Sequence, residues 1–148
     1  MTATATAPGA AWAFAEHEHR DLIRGLNRIH ETACEIQGWV APELPTHLLG
    51  ILDWLDLALA PHLAWEEAWL YPEIDDRTGT PWATRSARFD HQQIRRIATL
   101  IREDQGGLGG DDPARRLPEI KCHLFGLEAI LRSHIEREER FLIPILAE

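Results

Sequence analysis

The sequence has few cysteines, no excess of basic residues and no long apolar run. Only two cysteines occur among 148 residues, Cys34 and Cys122, and they form no CxxC pair, which excludes a disulfide framework. Acidic residues outnumber basic ones by 24 to 15, so the net charge is -9. This charge argues against nucleic acid or an anionic membrane as a partner. We find no apolar stretch long enough to cross a bilayer, so no membrane segment is expected.

Length and composition indicate a single folded domain. A chain of 148 residues with 45% hydrophobic and 26% charged residues can bury its own core. Residues 1–11 are rich in Ala, Thr, Pro and Gly, so we expect a flexible N-terminal arm there and the domain over residues 12–148. The first nine residues lack the basic and apolar regions of a signal peptide, so a cytoplasmic location is expected.

One pattern, His-x-x-x-Glu-Glu-x-x-Leu-x-Pro, occurs twice in the chain. It begins at position 62 and again at position 134, an offset of 72 residues. The same offset links one isolated histidine in each half of the chain. The six residues so related are His19, His62, Glu66, His91, His134 and Glu138. Each half of the chain therefore carries one isolated histidine followed by one histidine–glutamate pair.

The spacing within each pair predicts metal binding. Residues four apart lie on one face of a helix, so the imidazole and the carboxylate can reach the same ion or neighbouring ions. Imidazole and carboxylate suit iron, manganese or zinc. We therefore expect the six residues to hold two cations, with Glu66 and Glu138 bridging them, because six such buried groups would be costly to desolvate without a metal. Trp65 and Trp69 flank Glu66 and are expected to shield the site and pack the core.

Apolar residues at spacings of three and four predict four amphipathic helices. They are expected at about 12–39, 45–74, 81–105 and 113–143, with a loop at 75–80 and a kink at Pro61. Four such helices with short links favour an all-α, up-down-up-down four-helix bundle. The offset of 72 predicts that its two halves are related by a pseudo-two-fold axis. In that arrangement the four site histidines all lie at the same end of the bundle.

Four neighbouring carboxylates also repeat at this offset. Glu67 and Glu139 are five residues after a site histidine, about 140° round an ideal helix from that histidine, whereas an i+4 carboxylate lies about 40° from it. We expect them to face outward or to support the ligands. Glu18 and Asp90 precede the isolated histidines, and a solvated helix face is favoured over a supporting role for both.

The remaining histidines are not expected to bind the cations. His17 and His47 have no counterpart in the other half and are expected at the surface. His30 lies eleven residues after His19, and His123 lies eleven before His134, which predicts inward positions at one lower level. For these two we favour a buried or half-buried pair, bonded to each other or to water, over a second metal site.

The chain resembles the hemerythrin-like, or HHE cation-binding, family over about residues 14–146. The motifs that carry the resemblance are Glu18-His19, His62-x-x-x-Glu66-Glu67-x-x-Leu70-Tyr71-Pro72, Asp90-His91 and His134-x-x-x-Glu138-Glu139-x-x-Leu142-x-Pro144. The resemblance implies a four-helix bundle with a non-haem di-iron centre. It also implies that two carboxylates and an oxo or hydroxo group bridge the two iron ions.

The chain departs from the oxygen-carrying hemerythrins at one ligand. Those proteins have a second histidine four residues from the histidine of the third helix, where this chain has Ala87 and Arg95. Two imidazoles for each ion would make the ions nearly equivalent, both with open positions. The oxygen carriers also use a carboxylate five residues after the histidine of the fourth helix, so Glu139 is an alternative to Glu138.

These observations favour a di-iron protein that binds and reacts with a small oxidant such as dioxygen, peroxide or nitric oxide. An electron-donor protein is considered as a further partner. The alternative is a sensor or carrier of iron or oxygen that acts through a protein partner without turnover. A third hypothesis is a structural bundle that holds zinc or another metal, with manganese and zinc ranked below iron.

Overall fold

Four long helices form nearly all of the part of the chain that the structure describes. The structure is a computed structural model that describes residues 8–37 and 42–147, with side chains from residue 13 onward in the first helix. In chain order the helices are α1 (Pro8–Glu35), α2 (Leu44–Thr78), α3 (Trp82–Gly107) and α4 (Leu117–Arg137). No strand occurs within these described ranges.

The ends of α1 and α2 differ from the sequence-based expectation. Helix α1 begins at Pro8 and therefore includes four residues assigned to the arm, whereas residues 1–7 and the expected end of the helix at Trp39 lie outside the described residues. Helix α2 continues to Thr78 through most of the expected loop. Gly79 ends it with a φ of 68°, a left-handed conformation that glycine adopts without a steric penalty.

The later helices begin and end close to the positions predicted from the sequence. Pro81 is the N-cap residue of α3, and Thr80 Oγ1, one residue earlier, accepts a hydrogen bond from the backbone N–H of Trp82 at 3.3 Å. A short 3-10 helix, Pro113–Arg116, precedes α4 where an α-helix was expected to begin. A second 3-10 helix, Ile143–Ala147, ends the described chain.

The helices pack as consecutive antiparallel neighbours. Helix α1 contacts α2 and α4, and α3 contacts the same two helices from the other side. The predicted all-α, four-helix bundle is therefore confirmed. Most of the buried apolar side chains form one large cluster along the bundle, including Leu26, Leu48, Ile94 and Leu124.

A second, smaller apolar cluster closes one end of the bundle. We call it the end cluster; its buried members are Leu70, Tyr71, Ile74, Ala87, Leu142 and Leu146. These residues lie one to two helical turns beyond Glu66, His91 and Glu138 in the direction of the bundle end. The six predicted ligands therefore occupy a polar layer between two apolar clusters.

Two π-helical turns interrupt α2, and a third extends α4. Each turn ends two residues before a proline. The turns are Leu55–Leu59 before Pro61, Glu66–Leu70 before Pro72 and Glu138–Leu142 before Pro144. Proline has no N–H to donate, and its ring crowds the carbonyl four residues earlier. The residue before it bonds five residues back instead; the N–H of Tyr71, for example, binds the carbonyl of Glu66. The expected kink at Pro61 is thus accommodated by a widened turn.

The expectation that no stretch could span a bilayer requires a correction. Helix α2 is long and apolar enough to do so by length and composition alone, with a mean hydropathy of 1.2 over its most apolar 18 residues. A helix packed in a protein core also meets this criterion. Here α2 carries two of the buried site residues, His62 and Glu66.

Candidate metal centre

The six predicted ligands meet in one buried layer near the end of the bundle. Each has a relative exposure of 3% or less. They form two overlapping groups in which the potential ligand atoms lie within 4.8 Å of one another. We call His19 and His62 the first histidine pair, and His91 and His134 the second histidine pair. Glu66 and Glu138 belong to both groups.

The two shared glutamates each direct one oxygen toward each histidine pair. Oε1 of Glu66 lies 2.7 Å from Nε2 of His62, and its Oε2 lies 3.1 Å from Nε2 of His91. Oε2 of Glu138 lies 3.3 Å from Nε2 of His19, and its Oε1 lies 3.5 Å from Nε2 of His134. This is the arrangement needed for two carboxylates to bridge two cations.

Among the described residues, three buried polar atoms at the centre make no hydrogen bond of good geometry, although each lies 2.7–3.3 Å from a donor or acceptor atom of another site residue. They are Nε2 of His62, Oε2 of Glu66 and Oε2 of Glu138. A buried polar atom without a partner is destabilising, and all three atoms face the region between the two histidine pairs. Cations there would satisfy them, so the donor set fits a pair of metal ions.

Each site histidine is oriented by a carboxylate on its other ring nitrogen. We call these groups the four outer carboxylates. The contacts to Nδ1 are His19 to Glu139 at 3.2 Å, His62 to Glu18 at 2.8 Å, His91 to Glu67 at 2.7 Å and His134 to Asp90 at 3.3 Å. When Nδ1 donates to a carboxylate, the lone pair of Nε2 is left for the centre and becomes more basic. The contacts repeat at the offset of 72, as a pseudo-two-fold relation requires.

This arrangement revises two expectations about the outer carboxylates. Glu18 and Asp90 were expected on a solvated face, which is wrong, since each hydrogen-bonds a site histidine. Glu67 and Glu139 occupy the supporting positions that their i+5 spacing allowed. Glu139, the alternative bridging residue, belongs to neither potential metal group in the described part of the chain, whereas Glu138 belongs to both.

Tyr71 is a member of the site that the sequence analysis missed. Its hydroxyl donates to Oε1 of Glu138 at 2.5 Å and lies 2.8 Å from Nε2 of His91, and the residue is fully buried. On an ideal helix Tyr71 would lie about 140° from Glu66. The π-helical turn between them contains an extra residue and brings Tyr71 back toward the face of Glu66. A signal was present, since Tyr71 corresponds to Ile143 in the otherwise similar second motif.

Burial and the bridging glutamates have opposing effects on the ionisation of the site. Burial lowers the pKa of His19, but hydrogen bonds and charges from Glu138 and Glu66 outweigh it and raise this pKa to about 10. Burial also lowers the pKa of His134. Its hydrogen bonds and charge interactions with Asp90, Glu66 and Glu138 outweigh burial and raise this pKa to about 9. Metal binding must displace such protons from imidazole, so cation affinity will increase with pH.

The other histidines lie away from the centre. His17 and His47 are exposed, as expected. His30 and His123 do not form the expected pair: His30 is half exposed and binds Glu128 at 2.8 Å, and His123 binds Asp104 at 2.6 Å. Each has found a carboxylate on the helix next to its own. The spacing of eleven residues predicts a level along the helix. It does not determine which neighbouring side chain each imidazole contacts.

The tryptophans also differ from expectation. Trp65 is half-buried, and its ring centroid lies 6.3 Å from that of His62, consistent with shielding. Trp69 is 66% exposed and does not pack into the core. Trp69 lies in the widened turn Glu66–Leu70, so its side chain does not follow the direction that an ideal helix would give it.

A four-helix bundle with a buried layer of histidines and shared glutamates is the architecture of a class of cation-binding proteins. The model of the hemerythrin HHE cation binding domain family matches residues 11–146. The chain therefore belongs to this family, which confirms the resemblance inferred from the motifs. No curated protein and no solved structure matches the chain.

Proposed function

We propose that the chain is a non-haem di-iron protein that binds a small oxidant (dioxygen, peroxide or nitric oxide) and reacts with it. The observation that carries this proposal is the position of Glu66 and Glu138, each with one oxygen beside each histidine pair. Placed in this way, Glu66 and Glu138 would hold two cations side by side, where both could act on the same small ligand. The six residues named from the sequence would be the metal ligands.

The donor set favours iron over softer metals. Each histidine pair supplies two imidazole nitrogens, and the shared glutamates supply carboxylate oxygens. Neither group contains a cysteine sulfur, and both cysteines of the chain are exposed. Nitrogen and oxygen donors without thiolate suit iron, manganese and zinc. Iron is preferred here because the family that the chain belongs to implies it.

The protein's own groups would bind, orient and shield the centre. When bound by the six ligands, a pair of ferrous ions would supply the two electrons that, with two protons, convert one hydrogen peroxide to two waters, leaving both ions ferric. The outer carboxylates hold the imidazoles in place through Nδ1. The end cluster on one side and the main core on the other exclude bulk water from the polar layer.

Metal content and reactivity can be measured on the same preparation. Protein purified without added metal is analysed by mass spectrometry of its elements, then loaded anaerobically with ferrous iron and mixed with peroxide. We expect two irons per chain. Peroxide should change the visible spectrum, and reduction should restore the original spectrum. His19→Ala should lose iron, whereas His17→Ala, an exposed histidine two residues away on the same helix, should not.

The possible results separate the proposal from its alternatives. Zinc or manganese at two ions per chain, with no response to peroxide, would contradict a di-iron redox role. Two irons that change oxidation state without turnover would favour the sensor or carrier. In that case the readout is a change in oligomeric state or in amide hydrogen exchange when the protein is oxidised.

A further inference from the structure

We propose that Tyr71 is a terminal ligand of the cation held by the second histidine pair, so that the open coordination position belongs to the cation held by the first pair. This inference rests on the proposed function and deepens it. It replaces the expectation of two nearly equivalent ions with a centre in which one ion is closed by the protein and the other accepts the exogenous ligand.

The position of the Tyr71 hydroxyl is that of a ligand. Its oxygen lies 2.8 Å from Nε2 of His91 and 2.5 Å from Oε1 of Glu138. Both atoms belong to residues of the group around the second histidine pair. Two donor atoms that each bind one cation at about 2.1 Å would lie roughly 3 Å apart. The phenol oxygen therefore has the spacing expected of a neighbouring ligand in the same coordination shell.

The Tyr71 side chain is held firmly in this position. It is fully buried within the end cluster, and the guanidinium of Arg88 lies 5.1 Å from the centre of its ring. The π-helical turn Glu66–Leu70 directs it into the polar layer. Among the described residues, the hydroxyl of this buried phenol has an imidazole nitrogen and a carboxylate oxygen as its partners, which places it for a cation that both would bind.

The internal repeat provides this donor on one side only. The counterpart of Tyr71 is Ile143, which is buried but has no atom that can bind a metal. The group around the second histidine pair thus has five protein donors, its four residues and Tyr71, whereas the group around the first pair has four. The first pair's cation is therefore the one with room for an outside ligand.

Charged groups around the outer carboxylates follow the same asymmetry. On the side of the second pair, Arg95 binds Glu67 at 2.8 Å and Arg137 binds Asp90. The counterparts of these arginines are Ile23 and Trp65. Among the described residues, no arginine or lysine pairs with Glu18 or Glu139. The arginines would offset the charge that a phenolate adds on their side, while the first pair keeps its negative partners unneutralised.

A groove borders the side on which the open position is assigned. It has a volume of about 800 Å³ and lies between α1 and α2, with Phe14, Glu18, His62 and Trp65 among its lining residues. None of its lining residues belongs to the second histidine pair or to the end cluster. A small ligand approaching from this groove meets the first pair before the second.

The test uses the fact that Tyr71 is the chain's only tyrosine. Ferric protein with two irons per chain should show a tyrosinate-to-iron charge-transfer band, with resonance Raman modes that shift when the protein is made with ring-deuterated tyrosine. Tyr71→Phe should keep both irons and lose the band. Azide should bind once per two irons in the original protein and twice in the variant.

The outcomes distinguish this inference from the proposed function. Absence of iron at two per chain would contradict the proposed function and is detected by metal analysis alone. Two bound irons without a tyrosinate band in the unaltered protein would overturn the role of Tyr71, even if Tyr71→Phe failed to fold. Retention of the band in Tyr71→Phe, or azide binding in the His91 and His134 coordination shell, would also overturn it.

Discussion

Replacing Glu67 with glutamine should weaken the binding of one cation of the two. Oε1 of Glu67 lies 2.7 Å from Nδ1 of His91, the shortest of the four outer contacts. Glutamine retains an acceptor oxygen but removes the negative charge that makes the imidazole a stronger ligand. Such changes typically reduce metal affinity by about 10-fold to 100-fold, which corresponds to about 1.4 to 2.7 kcal/mol.

The surroundings of Glu67 favour the lower end of this range. Its side chain is 32% exposed, so solvent screens part of its charge, and it also binds Arg95 at 2.8 Å. We therefore expect a loss of about tenfold in affinity for the cation held by the second histidine pair. Glu139→Gln should have a smaller effect, because that side chain is 48% exposed and its contact to His19 is 3.2 Å.

The measurement is an anaerobic titration with ferrous iron in competition with a chelator of known affinity. Glu73→Gln is the matched control, since Glu73 lies on the same helix and pairs only with exposed Arg77 among the described residues. Combining Glu67→Gln with Arg95→Gln tests whether an unpaired guanidinium contributes to the loss. If Glu67→Gln bound both cations with the same affinities as the original protein, the reasoning would be refuted.

Three further predictions concern pH, ligation and packing. The metal-free protein should lose thermal stability as pH rises from about 6.5 through 9 and 10, because the raised pKa values of His19 and His134 favour their protonated forms in the folded state. Melting temperatures measured in the presence of a chelator check this. The cation-loaded protein should show no such fall. His91→Ala should lose about one cation of two, and retention of both would mean that α3 has been misassigned to the site. Leu124→Ala removes a fully buried side chain and should cost about 2–5 kcal/mol in denaturant unfolding, whereas Leu57→Ala, at 79% exposed, should cost far less.

The bundle and its six central residues could be predicted because they depend on short, regular spacings. His62 and Glu66 are one helical turn apart, and the offset of 72 brings the matching residues of each half to one level. Helix periodicity is sufficient for such cases, since an error of one or two residues at a helix end does not rotate its middle. The predicted ends were indeed the least accurate part.

The remaining features depend on departures from the regular helix or on long-range partners. The position of Tyr71 requires the π-helical turn that precedes Pro72, and an ideal helix would turn its side chain away. The roles of Glu18 and Asp90 depend on which helix packs against each. His30 was expected inward from its spacing, and Trp69 was expected in the core because it flanks Glu66, yet both side chains are exposed.

The end cluster has a consequence for how quickly the centre exchanges its ions with solution. Leu142 and Leu146, carried by the last turns of the chain, pack on Tyr71 and Ile74 and close the bundle beyond the polar layer. An ion leaving by that route must wait until these turns detach, a local opening rather than global unfolding. Extraction by a strong chelator should then proceed at a rate that stops increasing with chelator concentration. Substitution of Leu146 by alanine should accelerate it.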